Sequence, residues 1–474
     1  MIKLNDYKIL IDNIPGGFVD AVIYADDRIT LEDEALSQLK NAARIPGVVK
    51  VIATPDIHTG FGVPIGSVIG MENTVIPAAV GYDVNCGMRI LTTPLSKDDI
   101  NLKQIAESIR RDIPLGEGQK NLALNRSDFH AVLKKGMNGI KDIKDRNHSV
   151  WQAFNDDEYL SDMYKMEDNG SLQGDPEALS KRSIDRGIDQ LGTLGGGNHF
   201  IEIQEVSQVY DENIANQLGI KKWQIVIMIH SGSRGLGHQV GDDYMPMAKE
   251  EAKSKMPENT IGFFKADSKN GADYIGAMQS AANFAFVNRQ IMALLVRKNF
   301  RHYFGDIAMP LIYDVPHNIA KMESYDGEQI WVHRKGATRA FPKKLMKGTR
   351  FANIGQPIII PGSMGTASYL LIGTDSAKES LYSVNHGAGR VMSRTAAGGK
   401  SRRRDGKVFK EGSISDKEFE ESMKNVLLIC EHRGTIKEEA PAAYKDIDIV
   451  IDIVKNAGLA NPVAKMKPLA VLKG

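Results

Sequence analysis

Near the N-terminus the apolar positions fall into short blocks, at residues 18–24 and 48–53, which predict two strands. Helical spacing between them predicts a helix over 31–43. Residues 55–67 are too rich in Gly and Pro for a regular element. From 97 to 190 the pattern turns polar and mostly helical, as in Asp98–Asp112 and Pro176–Leu191, with looser sequence near Asn155–Gly174. That stretch reads as an insertion covering a core that resumes at Leu191. Trp223–Ile229, Pro310–Val315 and Pro357–Ile360 are apolar strand candidates, and Asp273–Tyr303 carries Ala, Phe, Ile and Leu at the spacing of a core helix. After Arg402-Arg403-Arg404 the chain reads as mostly helical. No repeat and no linker between independent domains is evident, so residues 1–474 read as one large domain.

Composition narrows this picture. A chain of 474 residues with 42% hydrophobic and 25% charged residues can bury a large core. The stretch Met1-Ile2-Lys3-Leu4-Asn5-Asp6 has no apolar segment of the export type and no run reaches membrane-spanning length, so neither export nor a membrane span is expected. Cys86 and Cys430 cannot make a disulfide framework, which fits a reducing cytoplasm. Net charge is +1, so any nucleic-acid site must be a local patch. Residues 332–350 supply one: Arg334, Lys335, Arg339, Lys343, Lys344, Lys347 and Arg350 occur there without an acid, as a polyanion groove would need.

The 45 glycines cluster around ligand-capable side chains. His386 stands before Gly387-Ala388-Gly389, with Arg390 and Arg394 following. Small residues let a phosphate approach the backbone, and arginines supply fixed charge for it. The histidine itself can be base, metal ligand or nucleophile. Asp56 and His58 form a D-x-H pair in a loop, a weak signal alone. Asp83 and Cys86 lie three apart in a turn-prone segment, and the cysteine sits between Asn and Gly rather than in an apolar run. His199 follows a glycine triplet at the start of a strand, while His230 and His317 follow strand candidates, where rigid scaffolds present chemistry. His130 and His148 lie among charged residues and read as solvent-facing. One thiolate, one carboxylate and three imidazoles exceed what a single open tetrahedral ion takes, but suit two ions sharing a ligand. Softness points to zinc, while carboxylate and imidazole also accept manganese.

The stretches PDIHTGFGVPIG (55–66), GYDVNCG (81–87), GTLGGGNHFIE (192–202), HSGSRGLGHQ (230–239), HNIAK (317–321), HRKGATRAFP (333–342), PGSMGTASY (361–369) and NHGAGRVMSR (385–394) resemble those of the RtcB family of RNA-splicing ligases, in the family's order. The segments EEAPAAYKDID and VLKG near the C-terminus match as well. The resemblance implies an α+β fold of the family's own type, with mixed sheets around a central metal and nucleotide cleft and helical insertions. It implies joining of RNA 2′,3′-cyclic phosphate or 3′-phosphate ends to 5′-hydroxyl ends with GTP and manganese, in tRNA splicing or RNA repair, with an archease-like activator as a further partner.

Carried over residue by residue, His386 would be the nucleophile that takes up GMP. Asp83, Cys86 and His199 would hold one manganese, and Cys86, His230 and His317 the other, with Cys86 bridging. Guanylate contacts would come from Asn198, His199, Phe200, Ile201, Glu202, His317, Asn318, Pro361, Gly362, Ser363, Met364, Ser368, His386, Gly387, Ala388, Gly389, Tyr444 and Lys473. Glu202 and Lys473 would select guanine by accepting from N1 and N2 and donating to O6. Arg234, Lys335, Arg390 and Arg394 are candidates for RNA phosphates or the triphosphate. Two positions depart from the family pattern: Pro77-Ala78-Ala79 replaces the more usual Pro-Gly-Gly, and Pro316 stands where a small residue is more usual. Neither removes a ligand, and both are changes a paralogue with a different RNA would carry. Two rivals are a metal-dependent cyclic phosphodiesterase that needs no GTP, and an RNA-binding protein on a decayed ligase scaffold, which should have lost ligands.

Overall fold

A computed structural model describes residues 1–256, 261–401, 408–410, 412–431 and 436–474. Its α+β architecture rests on two large sheets. The first has seven strands in the order Ile2–Asn5, Lys8–Ile11, Ala21–Tyr24, Val48–His58, Ile65–Met71, Glu328–Lys335, Asn318–Tyr325. Its one parallel pair, Ala21–Tyr24 with Val48–His58, is joined through the helix Asp33–Ala42, whose Ala35, Leu36, Leu39 and Ala42 form the buried face. The second sheet runs Leu311–Pro316, Gly87–Ser96, Gln224–Ser231, Phe200–Val209, Ala460–Lys473, Ser368–Gly373, Pro357–Ile360, with Leu427–Cys430 added parallel to the long C-terminal strand.

The second sheet is apolar on both faces, which is why its strands read as unbroken Ile, Val and Met runs. In Gln224–Ser231, Ile225, Ile227 and Ile229 enter a core shared with the helix Lys269–Phe304, while Val226 and Met228 enter another on the opposite face. The alternation then sets the end of the strand: His230 lies on the Met228 face and Ser231 on the face of the long helix. A third cluster joins the sheets, with Ile52, Val68 and Val332 of the first against Ile358, Ile360 and Leu371 of the second.

Several sequence expectations change. The Gly- and Pro-rich stretch is not wholly irregular: Val48–His58 carries Asp56 and His58 on a buried strand, with a register break absorbing the proline. Pro176–Leu191 contracts to a short turn and the helix Lys181–Gly187, because Pro176 starts the turn and Ser180 caps a new helix. The C-terminal part is not mostly helical, since it ends in the 14-residue strand Ala460–Lys473, interior to the sheet. His148 is half-buried, its ring accepting from the Val150 amide, whereas His130 is exposed. The segment Arg402-Arg403-Arg404 lies outside the described residues. Pro316 costs the sheet no pairing, because its strand is at the end of the strand order. Among the described residues no helix is long and apolar enough to cross a membrane.

Candidate metal centre and nucleotide cavity

Register in the second sheet gathers the site. Gly87 lies opposite both Pro316 and Ser231, and Phe200 lies opposite both His230 and Lys473. The residues at or just beyond these positions, His317, Cys86, His230 and His199, therefore meet at one end of four adjacent strands. Asp83 joins them from the turn before Gly87, where the Cys86 amide donates to the Asp83 carbonyl at 3.0 Å. Asn85 holds that turn in the left-handed region (φ 57°), with its side chain donating to Ala282 O at 2.8 Å.

Two trios result, Asp83 with Cys86 and His199, and Cys86 with His230 and His317, each with ligand atoms within 4.8 Å of one another. Cys86 Sγ is 3.3 Å from His199 Nε2 and 3.1 Å from His230 Nε2. His230 Nε2 is 3.3 Å from His317 Nε2, and His199 Nε2 is 2.7 Å from Asp83 Oδ2. Nitrogen and sulfur ligands of a tetrahedral ion stand about 3.5 Å apart, so the donors are nearly at coordination spacing. Burial, reinforced by neighbouring imidazoles, pushes His230 and His317 well below the usual range, so both are neutral. Two neutral rings with Nε2 atoms facing at 3.3 Å offer both nitrogens as ligand atoms to a cation between them. Burial and then Asp83 push the Cys86 thiol well up, so a cation must displace its proton to bind. Burial acts to raise Asp83, but His199 outweighs it and holds the carboxyl below its usual range. The donor set fits two cations sharing a thiolate.

The opposite wall carries His386, at the end of the strand Ser383–Asn385. Its Nδ1 is 2.7 Å from Asp56 Oδ2, which also accepts the His386 amide at 3.2 Å. Asp56 is fully buried, and Thr54 Oγ1 donates to its other oxygen at 2.6 Å. Burial would raise this carboxyl, but the His386 hydrogen bond outweighs it and lowers it. An ionised Asp56 makes Nδ1 the protonated nitrogen and leaves Nε2 with the lone pair. The His386 and His317 ring centroids are 4.8 Å apart, so the walls face each other closely. Gly389 is needed for this: at φ +76° it lies so near that a Cβ would stand 2.3 Å from the Asp56 carbonyl oxygen.

Between the walls is a cavity of about 380 Å³. Of the sequence candidates, Asn198, Phe200, Asn318, Pro361 to Met364, His386 to Gly389, Tyr444 and Lys473 line it, with Lys335, Arg390 and Arg394. Ile201 packs in the apolar core instead. Glu202 and Ser368 are buried and linked through Gln204, whose Nε2 donates to both. Burial pushes the Glu202 carboxyl up to about 8, against the partial pull of Gln204 and Lys473. Lys473 is buried near Glu439, at 4.0 Å, and donates to His199 O at 3.4 Å. Arg234 lines an adjoining cavity of about 520 Å³ with Asp83, His199, Lys120, Arg186 and Arg394.

The basic run 332–350 does not form a continuous groove. Arg334 is buried in a bidentate pair with Glu323 at 2.6 and 2.9 Å, and Arg339 pairs with Asp168 and Glu167 at 3.2 and 3.4 Å. Lys335 is buried among carbonyls, donating to Phe61 O and Val63 O, and burial pushes its amine down to about 7. Lys343, Lys344, Lys347 and Arg350 alone are exposed. The acids that neutralise the run lie outside it, Glu323 on the paired strand and Glu167 and Asp168 in the insertion, so a charge count within the run misses them. Asp56 was visible only as a weak D-x-H signal; its importance follows from the strand that aims it at His386.

The family described as tRNA-splicing ligase RtcB matches residues 38–474. A curated relative of that name from Archaeoglobus fulgidus is 39% identical over 497 residues, covering 100% of this chain and 98% of its own. The protein so named in Thermococcus kodakarensis is also 39% identical, with 95% and 94% covered. RNA-splicing ligase RtcB homolog 1 of Entamoeba histolytica is 40% identical over 92% of this chain and 83% of its own length.

Proposed function

Since the chain belongs to the RtcB family of tRNA-splicing ligases, we propose that it joins RNA 2′,3′-cyclic phosphate or 3′-phosphate ends to 5′-hydroxyl ends, through a guanylylated His386. The observation that carries this is the clamp on His386: Nδ1 is held by buried Asp56 at 2.7 Å, leaving Nε2 for the cavity that the two ligand trios share. A neutral imidazole attacks without losing a proton first, so Asp56 need only keep Nδ1 protonated.

In the first step Nε2 bonds to the α-phosphorus of GTP and the bond to the pyrophosphate oxygen breaks. The imidazolium that develops places its positive charge against ionised Asp56, which stabilises it without moving a proton. Water opens a cyclic end to a 3′-phosphate. An oxygen of that phosphate then takes GMP from Nε2, restoring neutral His386. The 5′-hydroxyl attacks the activated phosphorus, GMP leaves, and the phosphodiester is complete. Manganese, held by Asp83, Cys86 and His199 and by Cys86, His230 and His317, would supply positive charge against phosphoryl oxygens in these transfers. Lys473 offers a donor to guanine O6 and Glu202 acceptors to N1 and N2; binding guanine requires Glu202 to give up the proton that burial favours. Arg234 and Arg394 suit RNA phosphates beside the trio.

The test is incubation with α-labelled GTP and Mn²⁺, comparing wild type with His386→Ala. Acid-labile label on the denatured wild type and none on the variant is the expected result, followed by end joining of a cyclic-phosphate RNA. If metal-loaded wild type takes up no label, nucleotidyl transfer fails and a cyclic phosphodiesterase is left.

A further inference from the structure

The helix Lys269–Phe304 looks like pure core in sequence, yet its buried face carries Asn283, Asn288, Arg289, Gln290 and Arg297. Arg289 has no solvent exposure. Its guanidinium makes a bidentate pair with Asp314, Nε to Oδ2 at 2.9 Å and Nη2 to Oδ1 at 2.7 Å. Nη1 donates to two main-chain carbonyls, Asn85 O at 2.7 Å and Ser231 O at 3.0 Å. Asn85 is bonded to Cys86, Ser231 to His230, and Asp314 lies on the strand that delivers His317. A single planar cation thus ties together the three segments that bear one ligand trio. It passes so close under Gly87 that a Cβ there would stand 3.1 Å from its Cζ.

Asn288 completes the pattern toward the other trio. Its Oδ1 accepts the Gly192 amide at 2.8 Å, and its Nδ2 donates to Thr193 O at 3.2 Å and to Ser231 Oγ and Gly232 O at 3.3 Å. Ser231 Oγ in turn donates to Leu194 O at 2.7 Å, the carbonyl that meets His199 Nδ1 at 3.1 Å.

We propose that Arg289, seconded by Asn288, is the positioning residue of the two-cation centre, holding the main chain beside Cys86 and His230 so that one thiolate stays in reach of both trios. This rests on the metal-centre assignment above. The histidines need such support, because among the described residues His230 Nδ1 and His317 Nδ1 have no hydrogen-bond partner. Ring orientation is commonly set by a partner on the second nitrogen; here main-chain placement does that work. Only a planar fork can serve carboxylate and both carbonyls at once, so lysine is no substitute.

Arg297 provides the control. It lies on the same helix, is equally buried, and is bidentate to Asp162 at 2.5 and 2.9 Å, but its other contacts, Met309 O and Glu158 (3.2 Å), involve none of the ligand-bearing segments. Replacing Arg289 leaves Asp314 paired with Arg89 at 2.8 Å, so no carboxylate is stranded and the variant should fold. The experiment titrates full-length wild type, Arg289→Lys and Arg297→Lys with Co²⁺, reading stoichiometry, the thiolate-to-cobalt absorption and the melting temperature. Wild type should bind two equivalents. Arg289→Lys should bind cobalt roughly 10–100-fold more weakly, with a reduced thiolate band. Arg297→Lys should melt earlier yet keep wild-type affinity and spectrum. The proposal is overturned if Arg289→Lys binds like wild type, or if both variants lose cobalt in proportion to lost stability. If wild type itself takes up no cobalt, the metal-centre assignment falls and takes this proposal with it.

Discussion

The two walls of the cavity use histidine in opposite ways. On the sheet-end wall, His230 and His317 have no partner for Nδ1 among the described residues and turn Nε2 toward each other and Cys86. On the facing wall, His386 has Nδ1 held by a buried carboxylate and Nε2 left over. A ring that binds a cation is oriented by the cation and by the chain that carries it. A ring that must attack, carry a group and release it has no permanent partner at the reacting nitrogen, so the other nitrogen has to fix tautomer and aim. His199 lies between the extremes, with a carbonyl at Nδ1 and Asp83 at Nε2.

Four substitutions press on this contrast. Cys86→Ala removes the ligand common to both trios and should have the largest effect. Bound metal should fall in elemental analysis, and guanylylation should drop by about 10²–10³-fold or more, the scale of losing electrostatic stabilisation at phosphorus. Asp56→Asn attacks the other wall: the amide keeps the shape but no longer enforces Nδ1–H. Labelling should slow by roughly 10²–10⁴-fold while metal content is unchanged, which would separate the walls cleanly. A loss of metal in Asp56→Asn would instead show that the walls act as one unit.

Lys473→Met tests the base end of the cavity. Deleting one charged donor should weaken GTP binding by roughly 10–100-fold, read in the GTP dependence of labelling, with the maximal rate nearly kept. The smallest effect is on stability. Burial pushes the Glu202 carboxyl from its ordinary value of 4.5 up to about 8 in the folded state, so the folded state binds the extra proton between these values. Stability from this group is therefore lost as pH rises through that window. Glu202→Gln should gain melting temperature relative to wild type from pH 5 to pH 8, and show no such trend if Glu202 is ionised throughout.

Local chemistry made part of this legible. Cys86 stood out because it sits between Asn and Gly, and His230 and His317 because apolar strand patterns stop at them. Other parts were hidden for identifiable reasons. Asp56 lies in a stretch whose glycines and prolines mask a strand, because a register break there accommodates the proline. Arg334 and Arg339 looked free because their acids, Glu323 and Glu167, come from a neighbouring strand and from the insertion. Arg289 looked like the polar edge of an apolar helix, since its partners at 85, 231 and 314 are remote in sequence.

By itself the sequence determined the strand and helix periods around the core and the identity of the groups able to bind a cation or attack phosphorus, while the α+β class came from the family resemblance of its motifs. The periods and the groups are local: they depend on residue type and on spacing within a few positions. Tertiary structure alone decided that Cys86 is shared by two trios, that Asp56 faces His386, and that the run 332–350 divides between buried pairs and exposed lysines. Each depends on strand register, and shifting a strand by one residue turns every side chain to the other face. No local pattern records which strand lies opposite which.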